Sequence, residues 1–316
     1  MSNQPIPLSH FSATRSVEIE RLIDETQQFI DYLSKKGGPD PSDYEMLNAL
    51  LDNFSGDKSR GRASENQLER LREAFGDALS PETIQGWAYH KPLGYAGDFQ
   101  LIEKIYTYKT SSNPHLTKWD QFSQQQTATN AIRNRISFFL DQVWKAKDQA
   151  PTDCHILNLA SGPGRDMYET LNIIGAPGIH IDCVEQDAQA IDYATNLCKK
   201  FVNHIRFFKK NVLRFTTKQT YNLIWSGGLF DYFNDAIFKR ILTRLLGFLK
   251  TDGKLIIGNF STTNPSRGYM DLFNWNLIHR TREDLRQLAR ACGVPDEKII
   301  IEQEPEGINL FLVISK

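Results

Sequence analysis

The chain has 316 residues, which is long enough for one large α/β domain and an accessory region. Its hydrophobic fraction of 40% and charged fraction of 24% are those of a folded globular protein and exclude a fibrous or disordered one. Because 37 Lys and Arg residues balance 38 Asp and Glu residues, the overall charge does not favour nucleic acid or an anionic membrane. A small molecule is therefore the expected partner.

The cysteines and the N-terminal residues bear on the compartment. Residues 1–8 contain neither a basic stretch nor an apolar run of signal-peptide length, and no window has the length of a membrane span. The four cysteines form no C-x-x-C pair, and we expect them to be reduced residues in or near the core. They are Cys154, Cys183, Cys198 and Cys292. These features predict a cytoplasmic protein.

The first 150 residues have the spacing of amphipathic helices. Apolar residues recur at helical intervals over 11–36, 44–54, 65–79 and 123–147. We therefore predict that residues 1–150 form a mainly helical region that acts as a lid, binds substrate or mediates oligomerisation. A homodimer is compatible with this interpretation.

Beyond Pro151 the pattern changes to short apolar runs separated by helical stretches, which is typical of a sheet built from strand-helix-strand units. We predict that residues 151–316 form an α/β domain with a Rossmann-like, seven-stranded sheet. The last two runs lie close together around Pro305-Glu306-Gly307, so they should pair as an antiparallel hairpin. The seven predicted strands are 154–160, 180–185, 205–209, 221–225, 254–260, 298–304 and 309–315.

The first predicted strand is followed by a glycine-rich turn. Glycines let a backbone turn tightly and approach a ligand that a Cβ would exclude. A dinucleotide fingerprint requires Gly or Ala three positions after the second glycine, but this chain has Met167 there, which disfavours NAD or FAD. The turn is Ala160-Ser161-Gly162-Pro163-Gly164.

Polar or small residues follow the next three strands in the chain. Glu185 lies 21 residues beyond Gly164 at the end of the second strand, where a carboxylate accepts the hydroxyl protons of a ribose. Asn211 and Val212 follow the third strand and are suited to the edge and face of an adenine. Ser226 and Gly227 follow the fourth strand, and Tyr232 lies shortly after them. The alternative is that these residues are ordinary turn glycines and a solvated acid.

In the order of these features, residues 154–316 resemble the class I S-adenosylmethionine-dependent methyltransferases. The resemblance implies that S-adenosyl-L-methionine is the cofactor and S-adenosyl-L-homocysteine the product. By position, it implies one contact set for the methionine part, one for the ribose and one for the adenine. These sets are Ala160, Ser161, Gly162, Gly164, Ser226 and Gly227 for the methionine part, Glu185 and Gln186 for the ribose, and Asn211 and Val212 for the adenine.

A rigid segment precedes the predicted sheet domain. Gly94-Tyr95-Ala96-Gly97-Asp98 resembles a segment found in a bacterial methyltransferase subgroup that includes enzymes linked to methyl esters of 3-hydroxy fatty acids. We predict that this loop closes over the cofactor, with Tyr95, Asp98 and His90 as the candidate catalytic residues. The alternative is that Asp98 caps the helix that follows it.

The segment after the fifth strand is rich in aromatic residues. Ligands of such sheets bind beyond the carboxyl ends of the strands, so Tyr269 and Trp275 are predicted to contact the methyl acceptor together with Tyr232. Arg267 or Arg280 would pair with an acceptor carboxylate. At helical spacing, however, Tyr269 and Trp275 are more typical of core than of pocket positions, and a surface or dipole-neutralising role is the commoner one for the arginines.

The resulting prediction is an enzyme that methylates oxygen or nitrogen of a small molecule, with a fatty-acid-like carboxylate or hydroxyl as one acceptor. A non-catalytic, cofactor-binding regulatory module and a protein methyltransferase are the alternatives. Nucleic-acid methylation is disfavoured because Ser226-Gly227-Gly228-Leu229 replaces the Asp/Asn-Pro-Pro-Tyr/Phe segment expected after the fourth strand. The histidines have no metal-ligand spacing in the sequence, so the reaction is predicted to be metal-independent.

Overall fold

The structure is a computed structural model that describes residues 8–55 and 63–316. The prediction about a signal peptide rests on residues 1–8, of which 1–7 lie outside the described residues. The chain divides into two compact units, and each is formed by several segments of the sequence. The first unit comprises Met1–Gly97, Tyr108–Gln126 and Pro265–Asn276, and the second comprises Asp98–Thr107, Thr127–Asn264 and Leu277–Lys316.

Twelve α-helices and seven strands are present in the described residues. The helices are α1 (Leu8–Lys35), α2 (Tyr44–Asp52), α3 (Glu65–Ala74), α4 (Ile84–His90), α5 (Phe99–Tyr106), α6 (Pro114–Gln124), α7 (Thr127–Gln149), α8 (Arg165–Ile174), α9 (Ala188–Leu197), α10 (Asp235–Leu246), α11 (Arg267–Leu272) and α12 (Arg282–Arg290). The strands are β1 (Cys154–Leu159), β2 (Ile179–Glu185), β3 (Ile205–Lys209), β4 (Tyr221–Ser226), β5 (Leu249–Phe260), β6 (Ile299–Gln303) and β7 (Asn309–Ser315).

Aromatic rings fill the core of the first unit. Phe75 contacts both Trp119 and Phe273 edge to face, at centroid distances of 5.2 and 5.0 Å. Arg72 is buried beside them, where its Nε donates to the Leu272 carbonyl at 2.7 Å and its Nη1 pairs with Glu69 at 2.9 Å. The segment 265–276 therefore belongs to the helical unit although it follows strand β5.

Two of the predicted helices are interrupted. The helix predicted over 65–79 ends at Ala74, because Gly76 has φ +51°, a left-handed conformation that an α-helix does not contain. The residues after it form a short 3₁₀-helix, Gly76–Leu79. The helix predicted over 123–147 is divided between α6 and α7, which belong to different units. Asn113 caps α6 and Pro114 is its first residue, a start signal that the apolar spacing did not reveal.

The second unit contains a sheet with the order β3-β2-β1-β4-β5-β7-β6. Strands β1 to β5 are parallel, whereas β7 is antiparallel to both β5 and β6. The predicted seven-stranded, Rossmann-like fold with a reversed last strand is therefore confirmed. The seventh strand lies inside the sheet, between β5 and β6.

Helices cover both faces of this sheet. On one face, Phe139 and Val143 of α7 and Met167 of α8 pack against apolar residues of β1 and β4. On the other face, Phe238 of α10 and Leu285 of α12 belong to a second buried cluster. Helix α7 precedes Pro151 in the sequence, so the compact unit that holds the sheet begins upstream of the predicted boundary at residue 150.

All four cysteines are free, and Cys154, Cys183 and Cys198 are buried, as predicted from their apolar surroundings. Among the helices of the described residues, none combines the length and apolar character that crossing a bilayer requires.

Candidate active site

The order in which strands are added to the sheet reverses between the neighbouring strands β1 and β4. Strands β2 and β3 follow on one side of β1, and β5 lies on the other side of β4. Loops that leave the carboxyl ends of neighbouring strands at such a switch point separate and leave a crevice, which is where ligands bind in open parallel sheets. The predicted cofactor residues follow β1, β2, β3 and β4, so they share this edge of the sheet.

The glycine turn after β1 has a backbone that other residues adopt only under strain. Gly162 has φ +52° and Gly164 has φ +70°. No described heavy atom lies within 4 Å of the position that a Cβ on Gly162 would occupy, whereas a Cβ on Gly164 would lie 3.0 Å from Cε of Met167. Gly164 therefore permits close packing of α8, and Gly162 borders open space.

Met167, which disfavoured a dinucleotide site, is completely buried beneath the turn. Its sulfur lies 3.2 Å from the Cys183 thiol of β2. The thioether therefore fills the contact between helix and strand that a third small residue would make in the dinucleotide fingerprint.

Backbone amides hold the Glu185 carboxylate in place at the end of β2. Its Oε2 accepts from the Gly162 amide at 3.0 Å, and its Oε1 accepts from the amides of Gln186 and Asp187 at 2.7 and 3.1 Å. A carboxylate accepts about four hydrogen bonds, so one acceptor position of Oε2 is left for a hydroxyl group. The predicted ribose-binding acid thus lies directly beside the glycine turn.

The predicted adenine residues lie next to Glu185. The Asn211 side-chain amide donates to Oε1 of Gln186 at 2.9 Å, and the Asn211 Oδ1 accepts from the Leu213 amide at 2.8 Å. Asn211 and Gln186 are exposed, whereas Val212 is 8% exposed and packs into the core below. The structure therefore brings Glu185, Gln186, Asn211 and Val212 together.

Strand β4 ends in a buried hydroxyl. Ser226 is inaccessible to solvent, and its Oγ has no hydrogen-bond partner in the described parts of the chain. A buried polar group without a partner is unfavourable by about 1–3 kcal/mol. An orphan hydroxyl at the crevice edge is therefore what a site with a polar ligand would contain.

A buried arginine lies beside Gly228, two residues after Ser226. Arg135 of α7 is 6% exposed, its Nε donates to Oδ1 of Asn309 at 2.7 Å, and its guanidinium lies over the Phe260 ring at 5.2 Å. A Cβ on Gly228 would lie 2.5 Å from Nη1 of Arg135, so any larger residue there would displace the guanidinium. Among the described residues, Nη2 of Arg135 has no partner. The guanidinium therefore lies beside the loop that follows Ser226, with one of its nitrogens unsatisfied.

Two buried acids flank this edge. Desolvation raises the pKa of Asp166, in the first turn of α8, to about 6 even though the Met167 amide donates to it at 2.8 Å. Desolvation also raises the pKa of Asp231 to about 6, against the opposing charge of Arg135 and a 2.6 Å bond from the Phe260 amide. Perturbed acids concentrate at functional sites, although buried structural networks perturb acids as well.

Helix α5, which follows the glycine-tyrosine segment, is attached to the glycine turn. Glu103 of α5 pairs with the Arg165 guanidinium, with an Nε to Oε1 distance of 3.1 Å, and accepts from the Tyr193 hydroxyl at 2.9 Å. Asp98 caps this helix, since its Oδ1 accepts from the amides of Gln100 and Leu101 at 2.9 and 3.0 Å. The capping alternative for Asp98 is therefore present in the structure.

Most of the remaining predicted site residues of the first unit contact other residues of that unit. His90 Nε2 contacts the Leu79 carbonyl at 2.9 Å, and Tyr95 is 38% exposed. Tyr269 and Trp275 are buried, and the Tyr269 hydroxyl lies 2.6 Å from Oγ of Ser123. Arg267 Nε lies 3.5 Å from the Asp271 carboxylate. Tyr269 and Trp275 thus occupy the core position that their spacing also allowed.

In the second unit, Tyr232 is 42% exposed beyond β4, whereas Arg280 is fully engaged. The Arg280 guanidinium donates to Oδ1 of Asn259 at 2.7 Å, to the Phe233 carbonyl at 2.6 Å and to the Asp235 carboxylate at 2.9 Å. Arg280 fastens the loops around β5 and retains little capacity for a ligand.

Sequence reasoning missed Arg135, although a signal for it existed. Arg135 lies three residues after Ile132 and four before Phe139, so it occupies the apolar face of the predicted helix. A cation on the buried face of an amphipathic helix requires an anionic or polar partner.

Comparison with known proteins establishes the class of fold. No protein-family model matches the chain, and no curated protein sequence matches it. Among solved structures, a protein provisionally described as exported, from Bordetella parapertussis, has a TM-score of 0.58 at 16% identity and covers 99% of both chains. Two further solved structures, both of methyltransferases, show that the fold is that of class I methyltransferases.

A provisionally assigned O-methyltransferase from Nostoc punctiforme PCC 73102 has a TM-score of 0.51 at 15% identity, covering 99% of this chain and 100% of its own. Magnesium protoporphyrin IX methyltransferase from Synechocystis PCC 6803, with bound S-adenosylhomocysteine, has a TM-score of 0.51 at 9% identity. That match covers 76% of this chain and 100% of the Synechocystis chain.

Proposed function

We propose that the protein is an S-adenosyl-L-methionine-dependent methyltransferase that acts on a small molecule. The observation that carries this proposal is the set of unsatisfied or spare polar groups at the switch point. Glu185 has a spare acceptor position, Ser226 has an orphan hydroxyl and Arg135 has an orphan cationic nitrogen. The cofactor bound in the Synechocystis structure of similar fold supports the same interpretation.

These groups fit the chemistry of the cofactor part by part. Glu185 would accept from the ribose hydroxyls, and Asn211 with Val212 would meet the adenine edge and face. Open space at Gly162 would admit the sulfur-bearing chain. We assign the carboxylate of the methionine part to Arg135 Nη2, because a buried guanidinium binds a carboxylate by a charge-assisted hydrogen bond.

When bound, S-adenosylmethionine supplies a methyl group on a sulfonium that needs no further activation. The work left to the protein is to align the acceptor atom with that methyl group and to exclude water. A carboxylate acceptor needs no base, whereas a hydroxyl acceptor requires one, for which His90, Tyr95 and Asp98 are the proposed candidates. Tyr232 and Arg267 are the proposed contacts of the acceptor, whereas Tyr269 and Trp275, which were also predicted, are buried in the core of the first unit.

The proposed acceptor atom is an oxygen or a nitrogen; of the two methyltransferase structures of similar fold, the one from Nostoc is described as an O-methyltransferase. A fatty-acid-like acceptor is the finer form of this proposal. We place the reaction in the cytoplasm, where the free thiols would stay reduced. A protein acceptor and a cofactor-binding module without turnover are the competing functions.

The cofactor assignment is tested by calorimetry with two ligands. S-adenosylhomocysteine contains the amino-acid part, and 5′-methylthioadenosine lacks it. In Arg135→Gln, affinity for S-adenosylhomocysteine should fall about 10- to 100-fold, the value of one charge-assisted bond, while affinity for methylthioadenosine should stay unchanged. Arg282→Gln is the matched control, because Arg282 donates to the Ile301 carbonyl and a glutamine outside the site.

Two results would contradict parts of the proposal separately. Absence of S-adenosylhomocysteine binding to the unaltered protein would overturn the cofactor assignment. An equal loss of both ligands in Arg135→Gln would reject Arg135 as the carboxylate partner. Turnover is then tested by incubating the protein with methyl-labelled S-adenosylmethionine and a metabolite extract, followed by mass spectrometry. A labelled small molecule supports the enzyme, and binding without any labelled product supports the regulatory module.

A further inference from the structure

The opposite edge of the sheet, where the parallel strands begin, brings two histidines together. His155 is the second residue of β1 and His180 is the second residue of β2, and the two are register partners. Side chains of paired residues project from the same face of a sheet. Their imidazole rings are stacked with centroids 4.9 Å apart and an interplanar angle of 23°.

A carboxylate completes this group. Oδ1 of Asp153 lies 2.9 Å from Nε2 of His155 and 3.8 Å from Nε2 of His180. One ligand atom from each of the three residues lies within 4.8 Å of the other two. We propose that Asp153, His155 and His180 form a binding site for a divalent transition-metal ion, and that this ion is Zn²⁺.

The distances fit a single ion better than they fit a hydrogen-bonded cluster. Ligand atoms about 2.1 Å from a tetrahedral ion are separated by about 3.4 Å, and the two measured N···O distances lie on either side of that value. A hydrogen bond explains the 2.9 Å contact of His155 but not the 3.8 Å approach of His180. Two imidazoles and a carboxylate are ligands that zinc prefers, and water would supply the fourth.

The second carboxylate oxygen of Asp153 is oriented by Lys250. The Lys250 Nζ lies 3.9 Å from Oδ2 of Asp153 and donates to Oδ1 of Asn222 at 3.0 Å. Oδ1 of Asp153 is thereby left to the histidines. The positive charge of Lys250 opposes a cation, so this geometry predicts a site of moderate affinity.

The site is remote from the proposed reaction. His155 lies five positions before Ala160, which corresponds to about 17 Å along a strand. An ion here would link the beginnings of β1 and β2 and would stabilise the fold, because it binds the folded chain and not the unfolded one. The spacing of 25 residues between His155 and His180 hides the pair in the sequence, since strand register creates it.

The test uses the full chain without a polyhistidine tag, dialysed first against a chelator. Calorimetric titration with ZnCl₂ should give one site per chain, and Co²⁺ should give the absorption spectrum of a tetrahedral complex. His180→Ala and His155→Ala should each weaken Zn²⁺ binding at least about tenfold. His115→Ala, an exposed histidine outside the cluster, is the matched control and should bind like the unaltered protein.

Folding is monitored in the same samples. With chelator present, His180→Ala should have the melting temperature of the unaltered protein, because this exposed ring makes no hydrogen bond in the cluster. Excess Zn²⁺ should raise the melting temperature of the unaltered protein and of His115→Ala, but not that of His155→Ala/His180→Ala. Stoichiometric Zn²⁺ binding that persists in the double variant, or its absence from the unaltered protein, would overturn the proposal.

Discussion

Asp166 and Asp231 are buried acids whose surroundings make ionisation unfavourable. Each is about 1–7% exposed, and in each the removal of water is the largest influence on the pKa and raises it to about 6. Asp231 faces the positive charges of Arg135 and Arg280, whereas the groups that donate to Asp166 are neutral and include the Asn158 side chain. Asp166 is therefore the clearer case for a measurement.

The pKa of Asp166 predicts how stability depends on pH. In the unfolded chain an aspartate titrates near pH 3.9, so between about pH 4 and pH 6 the folded state binds more protons. The free energy of unfolding must therefore fall as the pH rises through this window. Asp166→Asn should remove that part of the decline and exceed the stability of the unaltered protein by about 3 kcal/mol at pH 7.5, with little difference near pH 4.

Urea unfolding of both proteins at pH 4.5 and 7.5 measures this difference. Asp231 titrates in the same direction, but its contribution is common to both proteins and cancels in the comparison. Stability curves that run parallel from pH 4.5 to 7.5 would show that Asp166 is not the titrating group.

Gly162 allows strain and ligand contact to be separated. An alanine at φ +52° destabilises by about 1 kcal/mol, and its Cβ would enter the open space that we assign to the cofactor. Gly37 is a matched control, because it has φ +83° and equally open surroundings among the described residues of the other unit. Both Gly→Ala variants should lose similar stability by chemical denaturation.

Only Gly162→Ala should also lose affinity for S-adenosylhomocysteine, by about tenfold or more for a steric conflict of this size. Calorimetry gives the affinities of both variants. Equal affinities in Gly162→Ala and Gly37→Ala would mean that the space beside Gly162 is not used by the cofactor.

At the scale of the elements, helix α5 raises the question of what Asp98 does. As an N-cap, its replacement by alanine should destabilise the protein by about 1 kcal/mol, and asparagine should restore most of that, since both side chains accept from the first amides of a helix. Thermal unfolding of Asp98→Ala and Asp98→Asn tests this. If Asp98→Asn keeps its stability but loses turnover, the proton-transfer role gains support; unchanged turnover would leave only the cap.

The strands were predictable because each is a short apolar run bounded by turn residues. Buried parallel strands need apolar side chains on both faces, and this leaves a continuous signal, as in Leu223-Ile224-Trp225. The helical half was harder to divide. Gly76 ends a helix, and Asn113-Pro114 begins one, without disturbing the apolar spacing. Periodicity alone therefore extended the helix before Gly76 too far and did not reveal the start of α6.

At the scale of the whole molecule, the grouping of the proposed cofactor residues at one edge of the sheet was predictable, because each ends or follows a strand in the sequence. The apolar helix face indicates that Arg135 is buried but not which residue it contacts, and the cluster of Asp153, His155 and His180 has no sequence signal, because packing and register bring these groups to their partners. Arg135 reaches Asn309 across 174 positions of the chain, and nothing local in either sequence segment indicates the other. Long-range polar contacts of this kind need the tertiary structure to be seen.

Helix α7 provides a test of how the second unit is built. Phe138 stacks on Phe311 at 3.8 Å between centroids, and Phe139 contacts Trp225 at 5.2 Å, so α7 covers one face of the sheet. A fragment of residues 151–316 should expose that face and lack a cooperative thermal transition, whereas residues 127–316 should retain one. Circular dichroism and dye binding to apolar surface compare the two; a cooperative transition in both would show that the sheet does not depend on α7.

The position of β7 fixes the order in which the sheet can be completed. Strand β6 precedes β7 in the chain, yet β6 pairs only with β7, and β7 pairs with β5. During folding, β6 therefore has no place in the sheet until β7 has paired with β5. Its residues Ile299, Ile300 and Ile301 must wait until Asn309–Ser315 has closed the long loop back to β5. Until then, this isoleucine-rich segment is open to aggregation or to chaperones.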